Sequence, residues 1–480
     1  MSTRNDWTPP QAQPVESHYA GIRLTEVIGA LSHALDMAEG QPVGHSIRTA
    51  IIGMRLGRVL QLGDGDRNAL FYALLLKDLG STSNSAHLAS FFGADDRALK
   101  AARRLIDWTD RREVARYVLR HGAGDGWLAR GWHAFTRFHD SPAVHQQMAE
   151  TRATRGVVTA AMLAMPKATC DAIASTEEHW DGNGVPRGLA GDRIPFLSRI
   201  VGLAQTVEVF EQAFGVAAAY DVAHRRRGRW FDPAVVDALD SFADDAAFWG
   251  ALRAANSFDA LPVAELPERV VYADELRLDT IAEAFARVID AKSPFTARHS
   301  QNVSFLATRT ATELGMTSRE IRAVRRAGLL HDIGKLGVAN TILDKATTLT
   351  HAESRAMQHH TRYTLEILRG VPRFARFAML ASSHHERLDG SGYHVGLTGD
   401  ALTMSMRVLA AADVCEALSA ARPYRAGLPI DVVMHELDAG AASGRLCGVA
   451  VDALKQWFTG IPDGPIAFSG AADSTSLIGI

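Results

Sequence analysis

A chain that carries the same long motif twice has to fold as two versions of one architecture. Here Gly44-His45-Ser46-Ile47-Arg48, followed by Leu74-Leu75-Leu76-Lys77-Asp78-Leu79-Gly80, parallels Arg298-His299-Ser300, followed by Leu329-Leu330-His331-Asp332-Ile333-Gly334. The interval from His45 to Lys77 and from His299 to His331 is 32 positions in both. Further on, Asp181-Gly182-Asn183-Gly184 with Gly188-Leu189-Ala190-Gly191-Asp192 parallels Asp389-Gly390-Ser391-Gly392 with Gly396-Leu397-Thr398-Gly399-Asp400. A repeat of this length fixes the domain plan before any local reading does. Asp78 and Glu177 are 99 positions apart whereas Asp332 and His385 are 53 apart, so the first copy holds an insertion of 46, expected near 85–130. The expected plan is a flexible leader over 1–18, a first copy over 19–256, a linker over 257–272 containing Pro262 and Pro267, a second copy over 273–463 and a tail over 464–480.

Each copy reads as all-α. Val27, Leu31, Ala34 and Leu35 recur at helical spacing until Gly40 and Pro42 stop the pattern, and a second helix is expected to start near Gly44-His45-Ser46. Long Ala/Leu/Arg-rich stretches follow, with few alternating β-branched runs, so two tandem helical bundles are expected. A net charge of −3 gives no footprint for a nucleic-acid polymer. No apolar run approaches the ~18 residues of a membrane span. Three scattered cysteines outside CxxC spacing argue against disulfides and zinc knuckles, and for a cytoplasmic setting.

The two copies differ where chemistry would be expected. The second has His331-Asp332 and Lys335 behind an apolar run, with His299 upstream, then His359-His360, His384-His385, and Asp413 inside Val408-Leu409-Ala410-Ala411-Ala412-Asp413-Val414. Neutral imidazoles with two carboxylates make a ligand set for a pair of divalent ions. A carboxylate in an Ala/Val/Leu helix needs a cation or donors to be buried there. In the first copy Lys77 stands for His331, Thr176 and Glu177 for His384-His385, and Gln205 for Asp413, leaving only His45 and Asp78. The expectation is a retained fold with a decayed site, used for dimerisation or sensing. The alternative is a second metal site built from His45, Glu177, Glu178 and His179.

The second copy, over about 280–454, resembles the HD-GYP phosphodiesterases of the HD phosphohydrolase superfamily, through HDIGK at 331–335 and His384-His385-Glu386 with Asp389-Gly390-Ser391-Gly392-Tyr393. The resemblance implies an all-α bundle, two iron or manganese ions as cofactors, and hydrolysis of a cyclic dinucleotide through an activated hydroxide. Cyclic di-GMP comes first as the implied substrate and 3′,3′-cyclic GMP-AMP next. By motif position His299, His331 and Asp413 would bind one ion, His360, His384 and His385 the other, with Asp332 bridging. Lys335 would act beside Asp332 on the hydroxide or the scissile phosphate. Gly392, Tyr393, Arg422 and Arg425 would hold the nucleotide. The proline of the family's GYP signature is His394 here, which removes a fixed φ from the loop. The Glu that three-metal members carry is Phe295, so two ions are expected. A mononucleotide phosphohydrolase and a non-catalytic cyclic-dinucleotide receptor are the alternatives. A second copy of the chain and a diguanylate cyclase are the candidate protein partners.

Overall fold

The first helix, α1 (Leu24–Ala38), buries Val27, Leu31 and Leu35 completely, as its apolar spacing requires. The structure is a computed structural model and describes residues 22–121, 141–261, 271–371, 373–421 and 426–458. The leader and the tail lie outside these residues, as does most of the linker. The first copy continues with α2 (His45–Val59), α3 (Asp64–Leu76), α4 (Ser85–Phe92), α5 (Asp96–Arg103), α6 (Arg111–His121), α7 (Ser141–Met162), α8 (Lys167–Ala174), α9 (Phe196–Phe214), α10 (Val216–Arg225), α11 (Pro233–Asp240) and α12 (Ala246–Ala254). Helices α4 to α6 occupy the described part of the insertion and pack a small cluster of their own around Leu88, Phe92, Leu99 and Tyr117.

The second copy runs through α13 (Glu275–Asp290), α14 (His299–Glu313), α15 (Ser318–Leu330), a 3-10 turn over Ile333–Gly337, α16 (Asn340–Leu343), α17 (His351–Arg369), α18 (Ala375–Ser382), α19 (Met404–Ser419), α20 (Ile430–Ala442) and α21 (Gly448–Gln456). Two starts are written in sequence as T-x-x-E capping boxes, Thr317 with Glu320 on α15 and Thr350 with Glu353 on α17. Each box satisfies backbone donors that a helix start leaves open.

The two copies are less separate than the repeat alone suggests. One apolar cluster runs through both, from Val27 and Leu74 in the first to Phe285 and Val408 in the second. A short antiparallel pair, β1 (Ile22–Arg23) with β2 (Tyr272–Ala273), ties the start of one copy to the start of the other. Across the seam Asp96, fully buried at the start of α5, takes Lys292 Nζ at 3.2 Å and the Asn340 N–H at 2.8 Å. Arg97 donates to the Gly337 carbonyl at the end of the 3-10 turn.

Candidate metal centre

Helix ends and two helix interiors in the second copy deliver the candidate ligands to one point. His299 is the first residue of α14, His331 follows the last turn of α15, His360 lies mid-way along α17, His384 and His385 follow α18, and Asp413 faces inward from α19. The sharp turn after Asp332 depends on Gly334, because a Cβ there would lie 1.9 Å from the His360 carbonyl oxygen. The Gly334 N–H donates to Thr364 Oγ1 at 3.1 Å, and that hydroxyl donates to the His331 carbonyl at 2.8 Å. The turn and α17 are thereby locked together.

Asp332 sits between two groups of imidazoles and offers one oxygen to each. Its Oδ2 is 3.3 Å from His299 Nε2 and 3.4 Å from His331 Nε2, while its Oδ1 is 3.5 Å from His360 Nε2 and 3.7 Å from His384 Nε2. Asp413 Oδ1 lies 3.5 Å from His299 Nε2 and 3.7 Å from His331 Nε2. His385 completes a compact set with His360 and His384. Lys335 Nζ donates to Asp332 Oδ2 at 2.5 Å. His359, the neighbour of His360, instead packs its ring near Tyr363.

The outer hydrogen bonds orient these rings. Nδ1 of His331, His360 and His384 donates to the carbonyls of Gly328, Met357 and Ala381 at 2.8, 2.7 and 2.7 Å. A carbonyl can only accept, so the proton lies on Nδ1 and the neutral ring turns its Nε2 lone pair inward. His299 Nδ1 donates to the Glu416 carboxylate. Asp332 Oδ1 is buried with no hydrogen bond. Inward nitrogens and an unpaired carboxylate oxygen fit divalent cations of borderline softness.

Electrostatics divides the centre. Burial acts to lower His299 and His331, but Glu416 and Asp332 raise the first to about 9, and Asp332 and Asp413 raise the second to about 10. Burial takes His360 down to about 4 and pulls His384 and His385 well down. Burial would raise Asp332 and Asp413, yet the cationic neighbours Lys335 and His331 hold the first, and His331 the second, well below the carboxylate range.

Sequence reasoning missed Glu416, although the repeat contains the signal: Glu208 follows Gln205 as Glu416 follows Asp413, and Glu208 still holds His45 Nδ1. It also missed Glu386, whose carboxylate accepts the N–H groups of Val395, Gly396 and Leu397 at 2.7, 3.1 and 3.0 Å and fixes the signature loop. Gly392 serves close packing, since a Cβ there would meet Glu386 Cα at 2.4 Å. Tyr393 next to it stacks on His385, centroids 4.7 Å apart. His394 takes φ +107°, a value proline cannot adopt, so the loop has changed shape as well as composition. Arg422 and Arg425 lie outside the described residues.

In the first copy the same point is filled by protein cations. Lys77 Nζ lies 3.0 Å from His45 Nε2 and donates to Asp78. Gly80 approaches the Arg152 carbonyl as Gly334 approaches that of His360, which puts Arg152 in the place of His360. Arg152 and Arg104 both bind Asp78, at 2.6 and 2.7 Å. Glu178 accepts the N–H groups of Arg187 and Leu189, and His179 stacks on Trp230 with centroids 4.1 Å apart. The alternative first-copy ligands are thus engaged elsewhere.

Known proteins are similar to this chain. The family described as HD domain matches residues 139–235 and 283–446. The chain is 38% identical over 411 residues to 3′3′-cGAMP-specific phosphodiesterase 3 of Vibrio cholerae serotype O1, covering 85% of this chain and 89% of that protein. The chain belongs to the HD-domain family, in its HD-GYP branch. A crystal structure of the V. cholerae cyclic GMP-AMP-specific phosphodiesterase V-cGAP3 superposes with a TM-score of 0.63 at 32% identity, over 92% of this chain and 99% of that one. The cyclic di-GMP phosphodiesterase response regulator RpfG of Xanthomonas campestris pv. campestris is 37% identical over 184 residues, 38% of this chain and 48% of its own length. The HD-GYP membership and all-α class expected from sequence stand. Among the described residues no helix is long and apolar enough to cross a membrane.

Proposed function

We propose that this HD-GYP cyclic-dinucleotide phosphodiesterase acts on 3′,3′-cyclic GMP-AMP, with cyclic di-GMP the second substrate. The order reverses the one expected from motifs. A relative that matches 85% of this chain, across both copies, is named for cyclic GMP-AMP, whereas RpfG, named for cyclic di-GMP, matches 38% of this chain. The observation that carries the catalytic reading is the placement of Asp332, one oxygen toward His299 and His331 and the other toward His360 and His384. His299, His331 and Asp413 would hold one divalent ion and His360, His384 and His385 a second, iron or manganese, with Asp332 shared. Such a pair, when bound, supplies a water of near-neutral pKa and offsets charge on the phosphate oxygens.

The chain's own groups do the rest. Lys335, one-fifth exposed at its side chain, holds Asp332 and is placed to meet a phosphate oxygen arriving from solvent. Tyr393 walls the centre beside His385, and Glu386 keeps that wall in place through three N–H bonds. Arg422 and Arg425 would grip a second phosphate or a base. Opening one 3′,5′ linkage releases a 3′-hydroxyl and leaves a linear dinucleotide with a 5′-phosphate. A cytoplasmic setting, a second copy of the chain and a diguanylate cyclase partner belong to the same proposal.

The test is chromatography of products from both cyclic dinucleotides, with anaerobically purified protein and its metal content measured alongside. We expect about two ions per chain and faster loss of 3′,3′-cyclic GMP-AMP. Equal or faster loss of cyclic di-GMP would overturn the substrate order. Turnover by fully chelated protein would overturn the metal-centred reading.

A further inference from the structure

A cavity of about 610 Å³ lies in the first copy, over the positions that correspond to the metal centre. Arg152, Thr176, Glu177 and Gln205 form its floor, and the insertion roofs it with α4, α5 and α6. That volume lies within the usual range of small-molecule sites, roughly 300–1,000 Å³.

Charge around the floor does not balance. Lys77, Lys100, Arg103, Arg104 and Arg152 face Glu39, Asp78 and Glu177, linked by Arg104–Glu39 at 2.5 Å, Arg152–Glu177 at 2.5 Å, Arg103–Glu177 at 3.3 Å and Lys100–Glu39 at 3.4 Å. Five cations share these three carboxylates, and each carboxylate is bound by at least two of them. Excess charge at a buried site is costly unless an anion joins it. Arg104 Nε, Gln205 Oε1, His179 Nδ1 and Trp230 Nε1 are among the lining atoms buried with no hydrogen-bond partner.

The walls add flat surfaces. Trp108, Trp180 and Trp230 all line the cavity, and Arg103 lies 5.4 Å from the Trp108 ring centroid. Guanidinium forks suit phosphate, and indole faces suit a base. We propose that this cavity binds a purine nucleotide, its phosphate on Arg103, Arg104 and Arg152 and its base against the tryptophans, without hydrolysing it. The cations that replace the imidazoles hold the ligand but have no means of activating water. The proposal does not rest on the substrate of the second copy. The nucleotide could be a free mononucleotide or a cyclic dinucleotide, since both present this chemistry.

The tryptophans provide a readout specific to the first copy. Seven of the eight precede residue 257, and the other, Trp457, packs edge-on to Phe305 in the second copy. Tryptophan fluorescence is followed while the holoenzyme is titrated with GMP, and while the full-length Asp332→Ala variant is titrated with 3′,3′-cyclic GMP-AMP. We expect a saturable change with at least one of them, and the responding arm identifies the source. Arg103→Gln should weaken binding about tenfold or more, by loss of a charge-assisted contact. Gly202→Leu should abolish it by filling the cavity, since a Cβ there meets nothing closer than the Thr176 carbonyl at 3.4 Å. Circular dichroism confirms that each variant is folded. Silence with both nucleotides, an unchanged response in both folded variants, or saturation by decanoate alone would overturn the proposal.

Discussion

Asp332 has no substitute at the residue scale. Its two oxygens face different imidazole pairs, so Asp332→Ala should lower hydrolysis by more than about a hundredfold and reduce metal content in the same preparation. Full activity would remove the shared-ligand reading. Glu416 acts one step further out, through His299 Nδ1. Glu416→Gln keeps the shape but withdraws the charge, and should weaken metal affinity or activity about 10–100-fold while leaving the helical signal intact. Metal titration followed by assay at saturating metal separates the two effects. His45→Ala in the first copy should leave metal stoichiometry unchanged, because Lys77 already occupies the face of His45 that a cation would need.

The signature loop is the element on which geometry and chemistry meet. Glu386 replaces a missing turn of regular structure by gathering three N–H groups from 395–397, and Gly392 lets the loop lie directly on 385–387. Gly392→Ala should force that contact apart, lowering stability by about 1–3 kcal/mol and moving Tyr393 off His385; thermal melting and activity should fall together. At His394 the expectation is opposite in sign. A β-carbon at φ +107° is strained, so His394→Gly should be stabilising by up to ~1 kcal/mol, whereas His394→Pro should destabilise despite restoring the family's signature residue. A proline variant more stable than the parent would show that the loop reaches a different backbone shape.

At the scale of the whole molecule α5 adds a polar link to the apolar core that joins the two copies. Its first turn places Asp96 and Arg97 on the second copy, at Lys292, Asn340 and the Gly337 carbonyl, while Lys100 and Arg103 further along line the first-copy cavity. Asp96→Ala would leave Lys292, 2% exposed, buried without its carboxylate. Removing one partner of a buried pair costs about 3–5 kcal/mol, so denaturant unfolding should shift by that order. Activity should drop as well, because the 3-10 turn that presents Lys335 is braced from across this seam. A shift below ~1 kcal/mol would mean that water reaches the pair and screens it.

The repeat, the helical spacing of Val27, Leu31 and Leu35 and the order of histidines and aspartates were all legible in sequence, because each rests on near neighbours or on a motif written twice. They determined the all-α class and which copy retains the imidazoles. Three features came only from the tertiary structure, Glu386 beneath the signature loop, Arg152 in the place of His360 and the single core that joins the copies, while Glu416 behind His299 had a sequence signal only in its repeat counterpart Glu208. The partners of Glu416, of Arg152 and of the joined core are distant along the chain or shifted by the 46-residue insertion, and Glu386 binds 395–397 across a loop whose shape spacing alone does not register. A buried carboxylate is placed by whatever donor the fold brings to it, and that donor is known only once the helices have packed.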